Sequence, residues 1–191
     1  MQEIFPSLLD DSHGAWCPVA AAARAHAAML AEAPIVCLYG PTGVGKSALL
    51  DLAKTHGAIV YDDLESADEA TQITLFHALE RQRLGESTQR IVVASSMPVA
   101  KLESLKPDVK SRLLLGEQIE VGYPTEPELR ALLAHWAAGR QLILPGAVAD
   151  YVLARADRSP KSLKALLLKL DGLSLQEKRG ITVALARQVL A

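Results

Sequence analysis

Residues 40–47 read Gly-Pro-Thr-Gly-Val-Gly-Lys-Ser, a complete G-x-x-x-x-G-K-[ST] pattern. Few short motifs restrict a fold as tightly, because the pattern has a function only where a strand ends, a loop wraps an anion and a helix begins. Both flanks comply. Residues 34–39, Pro-Ile-Val-Cys-Leu-Tyr, form a short apolar run with the character of a buried strand, and residues 48–54, Ala-Leu-Leu-Asp-Leu-Ala-Lys, open a helix. Gly40, Gly43 and Gly45 let the backbone turn tightly and bring its N–H groups near an anion, with Pro41, Thr42 and Val44 between them. The helix behind the loop aims its positive end at the same place. Lys46 supplies a cation for the outer phosphates, and the Ser47 hydroxyl is placed to ligate Mg2+.

The rest of the chain is consistent with a compact α/β protein built around that loop. Its 191 residues suffice for one ordinary domain, or for one domain with a small second lobe. Half the residues are apolar but only 4% are aromatic, so the core must be aliphatic. A net charge of −2 argues against a broad basic surface and against sequence-independent nucleic-acid binding as the main task. Cys17 and Cys37 lack metal-ligand spacing and do not suggest a disulfide framework. The N-terminus has no basic leader, and the alanine-rich run from Pro18 to Leu30 is interrupted by Arg24 and His26. The expectation is therefore a cytoplasmic protein with no signal peptide and no membrane span.

Along the chain, apolar runs and helix patterns alternate up to about residue 122. Residues 18–32 read as a helix. Strands are expected at 34–39, 58–62, 91–95 and 118–121, with a helix after the loop that stops at Gly57. Ser66 and Glu69 have capping-box spacing for a helix reaching Arg83, and residues 107–115 read as a short helix closed by Gly116. Strands alternating with helices imply a parallel sheet with helices on both faces. From Tyr123 onward only helices are expected. They start at the Thr125–Glu128 capping box, at Pro145, at Ser159-Pro160 and after Thr182. The expected organisation is an N-terminal segment (1–33), a nucleotide-binding core (34–122) and a helical lid (123–191).

Further candidates converge on the loop. Residues 59–63, Ile-Val-Tyr-Asp-Asp, end an apolar strand in two carboxylates at the sheet edge where α/β proteins bind ligands. Asp62 would bind magnesium, directly or through water, and Asp63 would orient or deprotonate a water molecule. Ser95 and Ser96 close the third strand on the same edge, either contacting a γ-phosphate or its attacking water, or simply forming a turn before Pro98. Lys161 lies in the first turn of a helix, where a cation opposes the helix dipole and is better accommodated beside an anion; a solvated lysine is the alternative. Arg112, at a helix end after the third strand, is by spacing alone either a surface arginine or an arginine finger for a nucleotide on a neighbouring subunit.

The order of these elements resembles the AAA+ ATPases, and more narrowly the DnaA family of replication initiators and regulators. Four stretches carry the likeness: 38–47 (LYGPTGVGKS), 60–63 (VYDD), 92–98 (VVASSMP) and 108–113 (DVKSRL). The last of them, followed by Gly116 and a strand, resembles the family's arginine-finger box, which assigns that role to Arg112. Ser96 falls at the sensor I position and Lys161 at sensor II. The tail, residues 142–153 through 170–173 to 181–182, is similar to the lid of Hda-type regulators. The sequence stops without the helix-turn-helix domain with which an initiator reads origin DNA. The resemblance implies a fold, a nucleotide cofactor (ATP or ADP with Mg2+) and two partners, a DnaA-type initiator and the sliding clamp. With that clamp, such a regulator makes ATP-bound DnaA hydrolyse its nucleotide.

The chain also departs from the family. Only one helix fits between Ser47 and Ala58, so a family strand is missing, four core strands are expected, and the Asp62 strand lies at an exposed edge. Such edges are usually covered or paired, which makes this one a candidate homodimer or partner surface. Ser at sensor I and Lys at sensor II leave open whether the chain is itself a weak ATPase. Residues 2–5, Gln-Glu-Ile-Phe, match a clamp-binding peptide only imperfectly. Three functions therefore stand: a regulator of replication initiation, an autonomous AAA+ ATPase that loads a helicase or replication protein, and a nucleotide-binding module that does not hydrolyse.

Overall fold

The computed structural model describes residues 33–190. The helix expected at 18–32 and the clamp-binding candidate at 2–5 lie outside the described residues. Those that are described fall into two compact units, 33–122 and 123–190.

The first unit is a four-stranded sheet. Its strands are β1 (Ile35–Tyr39), β2 (Ile59–Tyr61), β3 (Ile91–Ser95) and β4 (Glu117–Glu120), all parallel, in the spatial order β2-β3-β1-β4. Three helices accompany it: α1 (Lys46–Thr55), α2 (Glu69–Arg83) and α3 (Pro107–Leu113). Burial explains the strand sequences. All five residues of β3 and the middle three of β1 are buried, as befits central parallel strands covered on both faces, and both read as unbroken apolar runs. The outer strands read differently. β4 buries only Ile119, and β2 is half-buried along its length. No element intervenes between α1 and β2 other than the turn at Gly57, so the expected four strands are present and the strand leading to Asp62 is an edge.

One expected cap is corrected. Ser66 does not open α2; it ends a 3-10 turn over Leu64–Ser66. The cap is Asp68, whose carboxylate accepts from the Thr71 N–H at 2.8 Å. Once the 3-10 turn consumes Ser66, the next acceptor with free geometry is Asp68. Helix α3 is also shorter than expected, ending at Leu113, and the following turn closes with the Gly116 N–H on Leu113 O.

The second unit is all-helical among the described residues: α4 (Glu126–Gly139), α5 (Gly146–Arg155), α6 (Pro160–Gln176) and α7 (Val183–Leu190). Its core is aliphatic, with Leu129, Leu132, Leu163, Leu170 and Leu185 fully buried and Trp136 buried as well. Thr125 and Glu128 form the expected capping box on α4, and Ser159 caps α6 by accepting from the Ser162 N–H. Pro145 is the residue before α5 rather than its first turn. No described helix is long and apolar enough to cross a membrane.

Candidate functional site

Because all four strands are parallel, their C-terminal ends share one edge of the sheet. The register puts Tyr39 level with Ser95, so the loop after β1 and the turn after β3 leave the sheet side by side. Residues 40–45 form the loop, and α1 starts at Lys46. Gly43 and Gly45 take φ of 87° and 108°, a region that L side chains rarely adopt. Gly40 is needed for a second reason. A Cβ there would sit 2.1 Å from Val121 O, where the end of β4 passes against the loop. Its N–H donates to Ser95 O at 3.2 Å, tying the loop to β3.

Lys46 is buried, and its ammonium is folded onto the loop that precedes it. Nζ donates to Gly40 O at 2.6 Å and to Pro41 O at 2.9 Å. Its only described partners are neutral carbonyls, so an anion seated in the loop would compete for it on favourable terms. The first intrahelical bond of α1 runs from the Leu49 N–H to Gly45 O, leaving the earlier amides outside the ladder, as at any helix start. Positive backbone donors, an ammonium and left-handed glycines therefore meet at one point.

The carboxylates lie opposite. Ser47 Oγ donates to Asp62 Oδ2 at 2.9 Å, and the other oxygen of Asp62 accepts from the Asp63 N–H at 2.9 Å. A hydroxyl and a carboxylate in contact at an exposed position are the hard oxygen donors that Mg2+ takes from protein, the remainder of its shell being water and phosphate. No cluster of three or more His, Cys, Asp or Glu able to hold a metal exists among the described residues, so a magnesium ion here would depend on those non-protein ligands. The donor set fits such an ion. Asp63 has φ 48° and ψ 51°, left-handed for a residue with a side chain, and its exposed carboxylate has no hydrogen-bond partner among the described residues. Backbone strain of this kind clusters at sites where a side chain must be aimed.

The structure adds Glu65, which the sequence reading missed. Its carboxylate accepts from the Ser96 N–H at 3.0 and 3.2 Å and so ties the turn after β2 to the end of β3. Ser96 is thereby held by its backbone while its hydroxyl is left unengaged among the described residues. Ser95 is buried and spends its hydroxyl on Met97 O at 2.7 Å, a structural role. A contact spanning 31 residues leaves no local pattern to read.

Arg112 is not brought to this edge. Its Nε donates to Glu80 Oε1 at 2.7 Å, Nη1 donates to Asp108 O at 2.8 Å, and the guanidinium stacks over Phe76 at 4.4 Å. Three residues past α3, Gly116 packs against Ile35, the first residue of β1, which is the sheet edge opposite the loop. Lys161 lies in the second unit, exposed in the first turn of α6, with no side-chain partner among the described residues. Beside it, hydrogen bonds from the Ser162 hydroxyl and from Ser159 hold the Asp157 carboxyl below the usual range.

Comparison with known proteins agrees with this fold. Residues 126–190 match the family model described as "Hda, lid domain". The fold of DnaA domain III from Thermotoga maritima superposes with a TM-score of 0.73 at 18% identity, covering 87% of this chain and 89% of that one. The chain is thus similar to DnaA/Hda-like AAA+ proteins, in sequence through its lid and its DnaA relatives and in fold through DnaA domain III. The initiator DnaA of Lactobacillus delbrueckii subsp. bulgaricus is 26% identical over 140 residues, which is 72% of this chain and 30% of that protein. An uncharacterized protein of Haemophilus influenzae is 26% identical over 146 residues, 75% of this chain and 63% of the relative. The chain thus spans about a third of the length of the DnaA initiators it matches. The AMPPCP-bound DnaA of Aquifex aeolicus shares the fold at a TM-score of 0.60 and 22% identity, covering 81% of this chain and 63% of that one. Against this DnaA/Hda-like frame, the Hda model covers the second unit, while the phosphate loop and Arg112 lie in the first.

Proposed function

We propose that this protein is a nucleotide-responsive regulator of replication initiation, which with the sliding clamp promotes ATP hydrolysis by a DnaA-type initiator. The observation that carries the reading is the direction of its two cations. Lys46 points into the chain's own loop, whereas Arg112 is secured elsewhere by Glu80 and Phe76. An arginine held away from its own nucleotide loop is suited to a nucleotide bound by another protein. The Hda-type lid and the DnaA-like relatives support the choice of partner.

In this reading residues 40–47 bind ATP or ADP. Lys46 exchanges its carbonyl partners for phosphate oxygens, and Ser47 and Asp62 hold Mg2+, which when bound neutralises phosphate charge. Asp63 orients water, Ser96 lies at the sensor I position and Lys161 at sensor II. The chain's own nucleotide then sets the conformation that partners meet, and Arg112 stabilises charge developing on the initiator's nucleotide. Such fingers are worth about 10³–10⁵ in rate. The test mixes the purified protein with ATP-loaded initiator and DNA-loaded clamp. Initiator ATP should be hydrolysed faster, the gain should vanish with Arg112→Ala, and it should persist with Asp63→Asn, which blocks this chain's own turnover.

A second reading, an autonomous ATPase acting as a loader, is favoured by the unpartnered carboxylate of Asp63 beside an intact loop. It requires turnover by the chain alone, abolished by Lys46→Ala and by Asp63→Asn.

A further inference from the structure

We propose that Glu80 and Phe76 are positioning residues for Arg112, fixing its guanidinium with the Nη2 end outward to meet an anionic group on a partner. The inference rests on the trans-acting reading of Arg112 given above.

The geometry of the guanidinium carries it. Arginine has five N–H donors in a rigid plane, and its bidentate recognition of carboxylate or phosphate uses one edge of that plane. Here Nε is taken by Glu80 and one Nη1 proton by Asp108 O, while the ring of Phe76 covers a face. Nη2 has no partner among the described residues, and the side chain stays 23% exposed. What is left open is therefore the far end of the fork. A salt bridge meant only to neutralise the charge would be better served by pairing the carboxylate with that end.

Glu80 is itself held in place. Arg83, one turn on, donates to both its oxygens at 2.9 and 3.2 Å, so the carboxylate is oriented before Arg112 engages it. Hydrogen bonds from Arg83 and Arg112, in that order of size, lower its pKa to about 2, and it stays ionised at any working pH.

The two helices are also registered. Glu69, Gln72, Phe76, Glu80 and Arg83 recur at helical spacing along one stripe of α2. Buried Gln72 donates to Ser104 O at 3.0 Å and accepts from the Lys106 N–H at 2.8 Å, and Lys106 reaches Glu69 at 2.6 Å. The stripe thus fixes the start of α3 through Gln72 and its end through Glu80. A flexible arginine would lose rotamer freedom on engaging a partner, whereas one already held loses less.

Two measurements test this. In the mixed assay with ATP-loaded initiator and DNA-loaded clamp, Glu80→Gln and Phe76→Leu should each lower the maximal stimulated rate about 10- to 100-fold. The half-saturating concentration of this protein should not change. Phe76→Tyr, which keeps the ring, should retain the rate, and Glu80→Gln should add nothing to Arg112→Ala. Separately, 15N relaxation at Arg112 Nε in the free protein should show an ordered side chain that becomes mobile in Glu80→Gln. An unchanged rate in Glu80→Gln, or a mobile Nε in the wild-type protein, overturns the proposal. If the wild-type protein gives no stimulation at all, the functional reading has failed instead, and the relaxation data alone decide whether Glu80 holds the arginine.

Discussion

The first unit keeps two cations in two different places, and it keeps them differently. At the C-terminal edge, Lys46 rests on two neutral carbonyls of its own loop. Between α2 and α3, Arg112 is bound by a full carboxylate, a carbonyl and an aromatic face. Carbonyl partners give way readily to a phosphate, because a charge-assisted bond replaces a neutral one. A carboxylate flanked by a second arginine does not give way. The lysine is therefore arranged to exchange partners, and the arginine to keep its partners while offering an unused edge. On our proposal, that difference separates a chain's own nucleotide from a nucleotide it acts upon.

The contrast can be broken from either side. The largest expected effect is Arg112→Ala, with a loss of about 10³–10⁵ in stimulated hydrolysis by the partner. The same variant should leave this chain's nucleotide affinity unchanged in a fluorescent-nucleotide titration. Next is Gly40→Ala. A Cβ 2.1 Å from Val121 O at φ 151° must displace the end of β4 or reshape the loop. A destabilisation of about 2–4 kcal/mol is expected from overpacking and strain together, read from urea unfolding, with nucleotide binding lost as well. Lys46→Ala should weaken nucleotide binding by about 1.4–2.7 kcal/mol, roughly 10- to 100-fold, and leave Arg112 ordered. An equal effect of Lys46→Ala on the ordering of Arg112 would show that the two regions are one coupled site.

The smallest effect concerns pH. Glu80 has its pKa lowered from 4.5 to about 2 by Arg83 and Arg112. A depressed carboxyl contributes its stabilisation fully above its unfolded pKa and loses it as pH falls through the folded value. The order at Arg112 Nε should therefore be flat from pH 8 to pH 5 and decline only in strong acid. A midpoint near neutrality would mean that some other group holds the arginine.

Much of this was legible in the sequence where the signal is local. The loop, the four strands and the lid helices announce themselves through apolar runs, caps and glycines within a few residues of one another. The missing strand was legible too, since α1, which runs on to Thr55, fills nearly all the space between Ser47 and Ala58. Local signals failed where two candidates compete within one turn, as with Ser66 and Asp68 at the start of α2. They failed entirely for Glu65 and Glu80, whose partners Ser96 and Arg112 lie 31 and 32 residues away. Both are carboxylates on otherwise unremarkable helical or turn positions, and only the packing of the sheet and of α2 against α3 brings them to their targets.

The most direct test of the central claim labels one nucleotide only. Initiator preloaded with radiolabelled ATP is mixed with DNA-loaded clamp and with the Asp63→Asn variant of this protein, which keeps its nucleotide loop and is supplied well above its half-saturation point, in a single turnover. Our account predicts faster loss of label from the initiator's ATP with Asp63→Asn, and no acceleration with the Asp63→Asn/Arg112→Ala double variant. Label that decays at the initiator's basal rate in both, with turnover seen only from ATP bound to the wild-type form of this chain, would contradict it.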